Sequence, residues 1–77
     1  MTPNYQALPL TDNTYDQQFE LTIADATALV QYQLHHPYLS LVHTGVPTDL
    51  RGQGVGSALV EKVLHLADER HLTIIPL

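Results

Sequence analysis

The chain predicts an α+β domain in which an antiparallel β-meander leads into a helix and then into a last strand parallel to the third. Three observations carry that class. Phe19, Leu21 and Ile23 alternate with Glu20 and Thr22, the period-2 pattern of a half-buried strand. Leu59, Val60, Val63, Leu64 and Ala67 form an apolar stripe at helical spacing. Leu72 to Leu77 follows as an apolar run that is β-branched in its middle.

Residues 1–18 form an N-terminal arm: the stretch is polar, carries Pro3 and Pro9, and keeps no sustained period. A loose arm or one irregular edge strand is expected there, with Tyr5, Leu8, Leu10 and Tyr15 available to dock on a core. Residues 19–77 make the domain proper. After the first strand, Ala24-Asp25 reads as a tight turn, and Ala26 to Leu34 as a second strand with Ala28, Val30, Tyr32 and Leu34 on one side. His35-His36-Pro37 breaks that strand, because proline restricts the residue before it and donates nothing to a ladder. A third strand runs from Tyr38 to Val46 and ends at Pro47. Short connections make these three strands antiparallel. The helix is expected from Gly56 to Arg70, with Glu61, Lys62, Asp68 and Glu69 outward, Leu66 off the stripe, and His71 ending it without a glycine. A helix between two strands is a crossover, so the last strand lies parallel to the third.

Seventy-seven residues hold one domain, and a chain so short buries only about 60–65% of its unfolded surface. Its stability therefore depends on small increments, a bound ligand or a second subunit among them. With no cysteine there is neither a disulfide nor a thiolate zinc site. Eight carboxylates against Arg51, Lys62 and Arg70 give a net charge of −5. That balance excludes nucleic acid as a partner, since phosphate binding needs a field of cations, and it mildly favours amines. No apolar run is long enough for a membrane span and the first residues do not open a signal peptide, so a cytoplasmic protein is expected. An apolar last strand at a sheet edge invites pairing, which predicts a homodimer through Leu72–Leu77.

The segment Arg51-Gly52-Gln53-Gly54-Val55-Gly56-Ser57 sets three glycines directly before the helix. Glycine inside a helix costs about 1 kcal/mol relative to alanine. A cramped turn needs one such residue; three with an arginine at their head point to an anion. Helix-start N–H groups lack intrahelical acceptors and carry partial positive charge, and glycines let a phosphate approach them. The nucleoside triphosphatase loop requires a Gly-Lys-Ser/Thr ending, whereas Gly56 is followed by Ser57-Ala58. The dinucleotide fingerprint requires a parallel unit and a carboxylate about 20 residues on, and neither is met.

Arg51-x-x-Gly54-x-Gly56 fits a third pattern. It resembles the pyrophosphate loop of the GNAT superfamily of N-acetyltransferases, Gln/Arg-x-x-Gly-x-Gly/Ala between the fourth strand and the following helix. The stretch from His43 to Val60, with Ile75-Pro76-Leu77 after it, resembles the small single-domain branch of that superfamily over residues 19–77. The resemblance implies acetyl-CoA as co-substrate and transfer of its acetyl group to an unidentified amine. It implies that backbone N–H groups of Arg51, Gly52, Gln53, Gly54, Val55, Gly56 and Ser57 bind the pyrophosphate. It places the pantetheine arm along Thr44, Gly45 and Val46, with Gly45 at a bulge and an N–H near Val46 on the thioester oxygen. An ammonium acceptor must lose a proton before it attacks. His43, just before the pantetheine segment, is the candidate base, since imidazole suits that task; the other reading is a core histidine alternating with Leu39 and Leu41. His35 and His36 read as turn residues, His65 and His71 as surface ones, and no metal site is expected. Members of the branch continue after Pro-Leu with a cysteine and a second helix, which this sequence does not show. The alternative is accordingly a non-catalytic acyl-CoA-binding or interaction module.

Overall fold

Residues 5–76, the part that the computed structural model describes, form five strands and one long helix. In chain order these are β1 (Thr11–Asn13), β2 (Gln18–Ile23), β3 (Ala26–His35), β4 (Tyr38–Gly45), α1 (Val55–Glu69) and β5 (Thr73–Ile75). They make one mixed sheet in the spatial order β1-β2-β3-β4-β5. The first four strands are antiparallel and β5 runs parallel to β4. The expected α+β class and the parallel last strand are both present.

The core lies between the sheet and α1. Val55, Leu59, Val63 and Ala67 recur every fourth residue and are buried, as one seam of a helix must be. They meet Phe19, Leu21, Ala28, Val30, Tyr32 and Leu39 on the facing side of the sheet. Phe19 and Tyr32 stack with ring centroids 4.5 Å apart, a diagonal pair across β2 and β3. Val60 is only half-buried and Leu64 is 47% exposed, so the helix buries a narrower seam than its apolar stripe suggests.

Of the two expectations for the N-terminal residues, the edge strand is the one formed: β1 pairs with β2 from Thr11↔Glu20 to Asn13↔Gln18. Tyr5 is buried in the core and Leu8 and Leu10 pack against it. These residues also account for Leu66, which shares a groove with Leu8 and Leu10 on the flank of α1. The Tyr32 hydroxyl donates to Asp12 Oδ1 at 2.7 Å, and Arg70 at the helix end donates to Asp12 Oδ2 at 3.2 Å. Burial, with the Asp12 carboxylate beside it, pushes the Tyr32 phenol up to about 12.

The end of α1 solves the missing glycine cap with a histidine. Leu72 N–H reaches Ala67 O at 2.8 Å and His71 N–H reaches Asp68 O at 3.2 Å, the paired bonds of a Schellman motif. His71 supplies its left-handed residue, at φ +56°. The last strand is shorter than expected, three residues rather than six, and Leu77 lies outside the described residues.

Candidate functional site

Two local features of β4 define the site. The first is a bulge. Gln31 faces His43 across the β3–β4 ladder while Tyr32 faces Leu41, so Val42 is an extra residue. Side chains alternate with period 2, and one inserted residue reverses the faces of all that follow. Leu39 and Leu41 pair with Leu34 and Tyr32 on the helix side; beyond the bulge it is Thr44, opposite Val30, that faces that side. His43 is exposed on the opposite face of the sheet. The reading in which His43 alternates with Leu39 and Leu41 in the core therefore does not hold. The irregularity expected at Gly45 sits at Val42; Gly45 itself pairs in register with Leu29.

The second feature is a parting of strands. β5 pairs with β4 only from Tyr38↔Thr73 to Ser40↔Ile75, and the strand itself ends at Ile75. From Leu41 onward β4 keeps β3 on one side and, among the described residues, no strand on the other. Tyr32 N–H donates to Gln17 O, on the β2 side. Alternation therefore turns the backbone groups of Gln31 and Leu29, and those of their partners His43 and Gly45, into the β3–β4 ladder. The N–H of Thr44, between them, points to the open edge.

That edge runs into the glycine turn. Pro47 to Leu50 makes one 3-10 turn, with Leu50 N–H on Pro47 O at 2.9 Å and Arg51 N–H on Thr48 O at 3.2 Å. Gly52 and Gly54 then take the left-handed conformation, φ +76° and +77°. Gly54 caps α1 without a side-chain hydrogen bond, and the first helical bond runs from Ala58 N–H to Gly54 O at 3.0 Å. The N–H groups of Val55, Gly56 and Ser57 precede it and have no intrahelical acceptor. A Cβ on Gly56 would lie 3.5 Å from Val46 Cγ2, which shows how closely the helix start approaches the end of β4.

Thr44, Gly56, Ser57, Val60, Glu61 and Leu64 line the resulting groove of about 430 Å³. The structure thus brings the expected Thr44, Gly56 and Ser57 to one surface and places His43 beside it on the far face of β4. Val60 and Leu64 wall the groove, although their spacing assigned them to the core; the width of the apolar stripe was the only sign. Arg51 and Gln53 were expected to act through the backbone, yet both side chains bond back to the turn. Arg51 Nε donates to Val46 O at 3.4 Å and Gln53 Nε2 to Asp49 O at 2.9 Å.

A larger cavity, about 630 Å³, lies between Leu8–Leu10 and the flank of α1, and includes neither the turn nor His43. Among the described residues no group of His, Asp or Glu side chains is arranged to hold a metal ion. No helix among them is long and apolar enough to cross a membrane.

A family model described as GCN5-related N-acetyl-transferase matches residues 18–77, well over half of the chain, and spans every strand and loop of this site. No curated protein matches the chain.

Proposed function

Because the chain belongs to the GCN5-related N-acetyltransferase family, we propose that it binds acetyl-CoA across β4 and the Arg51–Ser57 turn and transfers the acetyl group to an amine. The observation that carries this reading is the convergence of an unpaired strand edge and a row of open helix-start N–H groups on one groove. The pantetheine arm has amides that can pair with the free edge at Thr44–Val46 as a strand would. The pyrophosphate meets the N–H groups of residues 52–57, where the helix dipole favours negative charge; the Arg51 N–H, expected to join them, is instead engaged by Thr48 O. Val60 and Leu64 give the groove an apolar wall.

The chemistry follows from the two faces of β4. An amine arriving on the outer face meets His43, which takes its proton as the nitrogen attacks the thioester carbon. A backbone N–H near Val46 donates to the carbonyl oxygen as it gains charge, which is worth several kcal/mol when the donor is already in place. The carbon–sulfur bond then breaks, and the leaving thiolate recovers the proton from His43.

Calorimetric titration with CoA, followed by incubation with acetyl-CoA and a panel of amines while released thiol is counted, tests both halves. Saturable binding with thiol release supports the reading. Binding without release for any amine would leave an acyl-CoA-binding module, and absence of binding would remove the reading altogether. His43→Gln should lower turnover about 10²–10⁴-fold, the usual contribution of a general base, while CoA affinity stays unchanged.

A further inference from the structure

The turn that precedes α1 is held by little. Arg51, Gly52, Gln53 and Gly54 are all exposed. A Cβ on either left-handed glycine would find no atom within 4 Å, so nothing packs against the turn at those two positions. Two flexible residues in so open a segment lose much conformational freedom when a ligand orders them. Something other than packing must hold the N–H groups in one arrangement.

Gln53 stands between the two left-handed glycines and reaches back across the turn. Its Nε2 donates to Asp49 O at 2.9 Å. Asp49 lies in the 3-10 turn Thr48–Leu50, and a continuing turn would have supplied that carbonyl with a backbone donor three residues on, at position 52. The chain leaves 3-10 geometry at Arg51, whose extended backbone (φ −67°, ψ 145°) turns the Gly52 N–H away, and Gly52 is then left-handed. The Gln53 amide takes the place of the missing donor and closes the loop over Gly52. Arg51 makes a different contact: its bond to Val46 O is long, 3.4 Å, and exposed. A charged side chain in that state is readily released toward an anion.

We infer that Gln53 is the positioning residue of the phosphate-binding turn, its side chain holding the backbone N–H groups in their receptive arrangement before CoA arrives, while Arg51 supplies the mobile charge. The inference rests on the reading that this turn binds the CoA pyrophosphate. A held turn has less freedom to lose on binding, and that difference appears as affinity. It concerns only the pyrophosphate, so a ligand without one should be indifferent to Gln53.

Titration of wild type, Gln53→Met, Gln53→Asn and Arg51→Met with CoA and with pantetheine, each at low and high salt, separates these roles. Gln53→Met keeps the length of the side chain without a donor, and Gln53→Asn keeps the donor but shortens its reach. Both should weaken CoA roughly five- to tenfold, the worth of one hydrogen bond, and leave pantetheine unchanged. Their melting temperatures should stay near wild type, as for other exposed substitutions. Both should keep the salt dependence of CoA binding, whereas Arg51→Met should flatten it. Equal CoA affinity in wild type and both Gln53 variants would overturn the inference and leave the pyrophosphate site standing. Equal losses on CoA and pantetheine would also overturn it, as the mark of a general structural role. A wild type that does not bind CoA would overturn the site and the inference together.

Discussion

Alanine at Gly54 and alanine at Gly56 should move stability in opposite directions, although the two positions are two residues apart. Gly54 sits at φ +77° with no atom within 4 Å of where a Cβ would be. Its substitution makes no clash, so the whole cost is backbone conformation, about 1–2 kcal/mol for an L-residue held left-handed. Alanine also restricts the unfolded chain relative to glycine, which returns about 0.4–1 kcal/mol. The net loss for Gly54→Ala is therefore about 1 kcal/mol, or roughly 4–8 °C in melting temperature for a domain of this size. Gly56 lies inside α1 with ordinary helical backbone, and its Cβ would make a normal 3.5 Å contact with Val46 Cγ2. Gly56→Ala should gain up to about 1 kcal/mol from helix propensity. Gly54→Asn should recover most of the Gly54 loss, since asparagine tolerates the left-handed region and caps helices well. Thermal and urea unfolding followed by circular dichroism would measure all three. An unchanged Gly54→Ala, or a loss at Gly56 as large as that at Gly54, would refute the conformational account of the turn.

Elsewhere, His71→Gly should stabilise the fold by about 0.5–1 kcal/mol, because glycine fills the left-handed position of the Schellman motif without strain; a lower melting temperature would count against it. Tyr32 has its phenol raised to about 12, above the ordinary 10. Its contribution is thus fully present below pH 10 and lost as pH rises toward 12, and Tyr32→Phe should flatten the alkaline limb of a pH–stability curve. Glu20 is shifted the other way: hydrogen bonds from Asn13 and Gln18 lower its carboxyl below 4.5. Its contribution is present above that value and lost on acidification, and Asn13→Ala should reduce the acid sensitivity. Among the described residues of β5, Ile74 offers the one outward N–H for pairing with a second copy, since Leu72 N–H is engaged by Ala67 O and Pro76 has none. Two reciprocal bonds of about 1 kcal/mol each support only a weak dimer, so sedimentation should show monomer at about 100 µM, and a tight dimer abolished by Ile75→Lys would refute this.

Much of the architecture is legible along the chain because it follows from short-range rules. Alternation over Phe19–Ile23, the break at Pro37 and the helical period of Leu59, Val63 and Ala67 each need only neighbouring residues to be read. The glycine turn is legible for the same reason: left-handed backbone at Gly52 and Gly54 is a local demand that few other residues meet. The arm was harder. Asp12 and Leu8 carry no periodic signal, and their places depend on Tyr32, Arg70 and Leu66, which lie far off in sequence.

The sequence by itself determined the order of elements, the turn that precedes α1 and the residues of β4 that adjoin it. Only the tertiary structure decided which way those residues face. A bulge is a property of two strands in register, so nothing in Tyr38–Gly45 alone shows that Val42 is the extra residue or that His43 and Thr44 therefore take opposite faces. The parting of β4 from β5 after Ser40 is likewise a fact about pairing, set by where β5 enters beside β4 and how far it runs. The Gln53 bond to Asp49 exists because extended Arg51 and left-handed Gly52 fold residue 53 back over the turn. Side-chain identity is written in one dimension, but a shared face, an open edge and a closed loop arise only when distant backbone segments meet.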